Sequence, residues 1–234
     1  TVVHYTLELN EAYVGLRYDT VFSGITTSNI KFHQEEVQKV IDGLKGKLII
    51  KYYPTRSASV NTLAAHLKQM EIQEIKPDVV IVDYADILKP TTFYKEKRHA
   101  TGETYENLRG MAGEFDIPIW TASQANRSSL EEEVIDASKV SEDYSKVMTA
   151  DFVMSVSRKV EDKIANTGRV HVIKNRFGID GITFPAEINT NTGNIQVYEA
   201  STQGGKSTQG KMDNSEEYLR QTLSKKYNDM GGFE

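Results

Sequence analysis

Pro77-Asp78-Val79-Val80-Ile81-Val82-Asp83-Tyr84-Ala85-Asp86-Ile87-Leu88-Lys89-Pro90 is the stretch that decides how the rest of the chain is read. Four consecutive β-branched residues, Val79 to Val82, predict a short strand buried on both faces. Such a run also suits a buried helix, but Pro77 before it and its shortness favour strand. The run stops at Asp83, which puts a carboxylate at the C-terminal end of a central strand. In open parallel α/β sheets that is the end where ligands bind. A buried carboxylate needs a partner, and a magnesium ion carried by a nucleoside triphosphate would supply one. Capping of the next element is the other reading of Asp83.

Upstream, the apolar alternation of Val2 to Leu9 predicts a first strand that ends near Glu8, so a second carboxylate sits at a strand end. Helical patterns follow over Glu11 to Phe22 and Ile30 to Leu44, then a strand over Lys47 to Tyr53, stopped by Pro54. Ser59 or Asn61 can cap a helix that reaches about Ile75 and leads into the central strand. Downstream, Thr91 to Gly102 reads as an exposed polar loop, Glu103 to Phe115 as a helix and Ile117 to Ala122 as a strand. Ser128 to Lys146 is polar and acidic and predicts a loop with a short helix. Short strands are expected at Phe152 to Ser157, Arg169 to Lys174, Ile182 to Ile188 and Ile195 to Tyr198, with a charged turn over Lys159 to Gly168. Alternating strands and helices predict an α/β fold with a mostly parallel sheet; the strand-rich last third predicts an antiparallel C-terminal extension.

Composition sets the outer limits. The chain has 234 residues, enough for one sizeable core or at most two. Charged residues make up 26%, and no apolar run is long enough to span a bilayer, so a soluble cytoplasmic protein with no membrane partner is expected. Zero cysteines exclude disulfides and thiolate metal sites. A net charge of -5 argues against nucleic-acid binding through the overall field but leaves room for a local basic loop. Residues 201–215, rich in Gly, Ser, Thr, Gln and Lys, read as a flexible linker after a core of residues 1–200. Residues 216–234 read as a tail with a possible short helix. The chain starts with Thr rather than Met, directly in an apolar alternating run, which suggests a piece of a larger protein.

Four stretches occur in an order similar to that of DnaB-type replicative DNA helicases. They are Thr6-Leu7-Glu8-Leu9, Ile81-Val82-Asp83-Tyr84, Ala122-Ser123-Gln124-Ala125-Asn126-Arg127-Ser128 and Ile173-Lys174-Asn175-Arg176-Phe177-Gly178. Lys51-Tyr52-Tyr53-Pro54-Thr55 most resembles the versions carried by tailed phages. The resemblance covers roughly residues 1–198. It implies a RecA-like motor domain working as a homo-hexamer on single-stranded DNA, with ATP and Mg2+ at subunit interfaces and a primase and a loader as partners.

Residue by residue, the resemblance makes Asp83 the acid that holds magnesium through water and Glu8 the base that deprotonates the attacking water. Gln124 matches the polar sensor of the terminal phosphate. Lys174 and Arg176 match a pair that reaches into the neighbour's site, where a guanidinium suits phosphoryl charge. DNA contacts fall between Arg127 and Asp151. The family's arginine is missing there, so Arg127, Lys139, Glu142 and Lys146 are the expected contacts.

The family's phosphate-cradling loop should precede the first strand, and the chain begins after it; this polypeptide alone is therefore expected to bind ATP poorly. A formal match at Ala200 to Ser207 follows the last strand in low-complexity sequence and reads as a decoy. Two other functions compete: a RecA- or RadA-like strand-exchange ATPase, and a RecA-fold module kept for assembly only.

Overall fold

The computed structural model describes residues 1–92, 97–125, 134–136 and 145–199. It divides into two compact units, residues 1–126 with 137–151, and residues 127–136 with 152–234.

The first unit is built on a parallel sheet of four strands: β1 (Val2–Thr6), β2 (Leu48–Tyr52), β3 (Val79–Asp83) and β4 (Ile119–Thr121), in the order β2-β1-β3-β4. Its helices are α1 (Glu11–Ser23), α2 (Gln34–Asp42), α3 (Val60–Ile72), α4 (Lys97–Phe115) and the short α5 (Ser145–Thr149). The Val79 to Val82 run is a strand, as its β-branched residues require, but its burial alternates. Val80 and Val82 are fully buried, while Val79 and Ile81 are half-covered. The inward residues Val3, Tyr5, Val80 and Val82 pack against Leu63, Leu67 and Met70 of α3 and Tyr105, Leu108, Met111 and Phe115 of α4. Burying a valine side chain of this kind is worth roughly 1.5–3 kcal/mol, so this face carries most of the sheet's stability. The opposite face is polar at its centre: His4 there meets Tyr18 of α1 edge to face.

Caps end the elements where sequence expects them. Asn10 Oδ1 accepts the Tyr13 N–H at 3.0 Å at the start of α1, and Gly24, at φ 71°, closes it in the left-handed region. Ser59, one of the two expected caps, opens α3 by donating its N–H to Thr62 Oγ1 at 3.2 Å. Ile30 to Leu44 is not one helix, because a 3-10 turn at Ile30–Phe32 precedes α2. Helix α4 starts at Lys97, six residues before the apolar periodicity does, with Ala100 and Thr101 buried.

The second unit is an antiparallel sheet of β5 (Phe152–Ser157), β6 (Thr167–Asn175), β7 (Thr183–Asn189) and β8 (Asn194–Val197), in chain order, with helix α6 (Val160–Ala165) between β5 and β6. The expected charged turn at Lys159 to Gly168 is thus partly helical. The reason is Asp162, buried rather than solvated. It accepts the Lys159 N–H at 2.8 Å, Arg169 Nη1 at 2.7 Å and Thr167 Oγ1 at 3.2 Å. Val170, Ala186 and Ile188 form the small core, with Phe184 against it. Gly168 sits at a close approach: a Cβ there would lie 3.0 Å from the Ser157 carbonyl oxygen, which is backbone and cannot turn aside. Residues 201–215 and 216–234, and the formal match starting at Ala200, lie outside the described residues.

Candidate functional site

Parallel strands align their C-terminal ends, so the site is set by register. Thr6 of β1 lies opposite Asp83 of β3 and opposite Tyr52 of β2. Glu8, two residues past Thr6, therefore leaves the sheet on the same rim as Asp83. The backbone around it is held from three directions. The Leu7 N–H donates to Asp83 O at 2.9 Å, Leu7 O accepts from Thr55 Oγ1 at 2.9 Å, and Thr6 Oγ1 donates to Leu9 O at 2.6 Å. Leu7 is fully buried between them and Glu8 is exposed. A buried leucine next to an exposed glutamate fixes which way the carboxylate leaves the sheet.

Four carboxylates gather near this rim, and two are spent on structure. Glu11 Oε1 accepts the Tyr52 N–H at 3.0 Å, and Asp86 is bound to Lys146. Glu8 and Asp83 make no side-chain hydrogen bond or ion pair among the described residues. Beside Asp83, His4 Nδ1 is 2.9 Å from Tyr18 Oη, while His4 Nε2 is buried without a hydrogen-bond partner among the described residues. Burial lowers the His4 pKa against the pull of the Asp83 charge. Burial, and then Asp83, raises that of Tyr18. No group of three or more His, Cys, Asp or Glu side chains placed to hold a metal occurs among the described residues. A single hard-oxygen carboxylate, Asp83, on a partly open rim fits magnesium, which keeps several waters and takes its other ligands from substrate phosphates.

Gln124 follows β4 on the same rim. Its Nε2 donates to Tyr84 Oη at 3.2 Å, so it reaches the residue directly after Asp83. Thr121 Oγ1 ties the two strand ends together, donating to Val82 O at 2.9 Å and accepting the Ala85 N–H at 3.0 Å. Glu8, Asp83 and Gln124 are thus brought together in the first unit. Lys174 and Arg176 are brought together in the second, at the end of β6 and in the turn after it. That turn is shaped by Asn175, whose Oδ1 accepts the Phe177 N–H at 3.2 Å. Asn175 also explains Gly178, where a Cβ would lie 2.6 Å from Asn175 Nδ2.

Lys146 is placed differently from its expected role. Its side chain is 3% exposed, and Nζ lies 2.9 Å from Asp86 Oδ1 and 3.1 Å from Ser123 Oγ. In this arrangement the Lys146 ammonium is turned onto a carboxylate rather than toward solvent. Arg127, Lys139 and Glu142 lie outside the described residues. Sequence reasoning also passed over Asp86, Tyr105, Ser123 and Thr121. The one signal was the second acid in Asp83-Tyr84-Ala85-Asp86.

Comparison with known proteins places the chain in a family. The family model of the DnaB-like helicase C terminal domain matches residues 1–189. A DnaB-like replicative helicase of Enterobacteria phage T4 is 31% identical over 137 residues, which are 57% of this chain and 29% of that protein. The chain therefore spans less than a third of the length of that curated relative. Among solved structures, an ATPase domain superposes with a TM-score of 0.72 at 19% identity, covering 85% of this chain and 75% of that one. A DnaB-like replicative helicase, studied with its interactions with primase, superposes with a TM-score of 0.71 at 19% identity, covering 83% and 50%. At that identity the two superpositions establish the fold alone, a RecA-like one. With the family model matching most of its length, the chain belongs to the DnaB-like helicase C-terminal domain family.

Proposed function

We propose that this chain is the motor of a replicative helicase, which couples ATP hydrolysis to translocation along single-stranded DNA and unwinding at a fork. The observation that carries this reading is the pairing of Thr6 with Asp83, which directs two uncommitted carboxylates to one rim. Magnesium bound with the nucleotide would neutralise phosphate charge. Asp83 holds that ion's water shell. Glu8 accepts the proton of the attacking water, the work of a general base. Gln124, tethered to Tyr84, orients toward the terminal phosphate. Lys174 and Arg176 act on a neighbouring subunit's nucleotide in a homo-hexamer, where a planar, permanently charged guanidinium meets developing charge. Arg127, Lys139 and Glu142 are the proposed contacts with single-stranded DNA, and a primase and a loader join the full-length protein in the cytoplasm. Among the described residues no helix is long and apolar enough to cross a membrane.

The test is Glu8→Gln in the full-length protein. ATP and single-stranded DNA binding should survive while hydrolysis falls by about 10²–10⁴-fold, the usual worth of a positioned base. Unaltered hydrolysis removes Glu8 from the mechanism. Pairing of homologous strands without unwinding of a forked duplex would replace the helicase reading by strand exchange.

A further inference from the structure

Past the C-terminal ends of β3 and β4 lies a buried polar cluster that none of the roles above uses. Asp86, in the 3-10 turn Ala85–Ile87 after β3, is its centre. Lys146 Nζ donates to both of its carboxylate oxygens, at 2.9 Å each. Tyr105 Oη of α4 donates to Oδ1 at 2.8 Å, and Ser123 Oγ donates to Oδ2 at 3.2 Å. The Lys146 ammonium also lies 5.5 Å from the centre of the Tyr105 ring. Burial, and then the Asp86 charge, drives the Tyr105 phenol pKa far up, so it stays a donor. A buried ion pair of this kind is a poor way to gain stability, because an apolar pair of similar volume commonly does as well or better.

What the cluster does achieve is connection. Asp86 is three residues beyond Asp83, and Ser123 is covalently bonded to Gln124. Lys146 is the second residue of α5, which begins directly after the segment carrying Lys139 and Glu142. One ammonium therefore joins the ends of β3 and β4 to the first turn of α5. We propose that Lys146 and Asp86 are a positioning pair that couples DNA occupancy to nucleotide chemistry. The pair holds α5 in register with Gln124 and the turn after Asp83, so a shift of α5 on DNA binding is passed to both. The inference rests on the helicase reading above.

The experiment uses the full-length protein and a single-stranded oligodeoxythymidylate. Steady-state ATP hydrolysis is measured with and without the oligonucleotide for wild type, D86L/K146M, K146M and K146R. The double variant replaces the pair by apolar side chains and should stay folded, its melting temperature lowered only by the Tyr105 and Ser123 hydroxyls that lose their acceptor. It should keep the DNA-free rate and lose about 5- to 150-fold of its stimulation by DNA, the range of ordinary coupling energies. Its affinity for the oligonucleotide should lose its dependence on nucleotide, and its nucleotide affinity should lose its dependence on the oligonucleotide by the same factor, because coupling between two binding equilibria is reciprocal. K146R should restore stimulation. A folded double variant stimulated like wild type overturns the coupling role and leaves the helicase reading standing. Wild type that DNA does not stimulate overturns both.

Discussion

Asp162→Ala tests whether the sheet that carries Arg176 is held by one buried ion pair. The Asp162 side chain is 3% exposed and that of Arg169 is 11% exposed. Removing the carboxylate leaves Arg169 without its counter-charge and the Lys159 and Thr167 donors without their acceptor. Breaking a buried pair from one side costs about 3–5 kcal/mol, and the lost cap is worth about 1 kcal/mol of that. Asp162→Asn keeps an acceptor for Lys159 and should cost less, about 1.5–3 kcal/mol. D162L/R169M should recover most of that loss and keep only the cost of the missing cap, about 1 kcal/mol, because no charge is then stranded. Urea denaturation gives the energies, and amide hydrogen exchange over Thr167–Asn175 locates the loss in β6. Acid adds a second readout. Burial pushes the Asp162 carboxyl up, but the Lys159 N–H, Arg169 and Thr167 outweigh it and hold the pKa below the ordinary carboxylate value. A carboxylate depressed in the folded state stabilises fully above its unfolded pKa and loses that contribution as pH falls through the folded one. The gap between wild type and Asp162→Asn should therefore close in acid. A cost for Asp162→Ala below about 1 kcal/mol, the worth of an exposed pair, refutes the reasoning.

Other variants probe the site and the two cores. Arg176→Ala in the full-length protein should keep ATP binding and lose about 10³–10⁵-fold in DNA-stimulated hydrolysis, followed by phosphate release; normal turnover would end its assignment to the neighbour's site. Leu63→Ala should cost about 2–5 kcal/mol in chemical denaturation, because Leu63 is fully buried against the β1 and β3 face. Gly168→Ala should cost about 1–3 kcal/mol, since Ser157 O at 3.0 Å is backbone and cannot move aside as Ile188 Cδ1 can.

What was legible in the sequence was what local pattern encodes. A β-branched run between Pro77 and Asp83 has few conformations open to it, and a strand end is visible wherever such a run meets a charge. Helix α6 was hidden for the opposite reason. Val160 and Ile164 are exposed, and the helix is held by Asp162, whose partner Arg169 lies beyond it. The first turns of α4 were hidden because buried threonines replace apolar residues there; Thr104 Oγ1 donates to Ala100 O at 2.9 Å within the helix itself. A hydroxyl that bonds its own helix buries without an apolar signature.

Lys146 shows where such reading stops. A lysine in a polar, acidic segment is ordinarily solvated, and no property of residues 128–146 distinguishes this one. Its burial is decided by Asp86, sixty positions upstream. The rim itself escapes this limit because parallel pairing brings the C-terminal ends of neighbouring strands together whatever the loops do. Once Asp83 is seen to end one strand and Glu8 to follow closely on the end of its parallel neighbour, their sharing a rim follows without any long-range contact. That rim was thus readable from periodicity, while the Asp86–Lys146 pair required the tertiary structure.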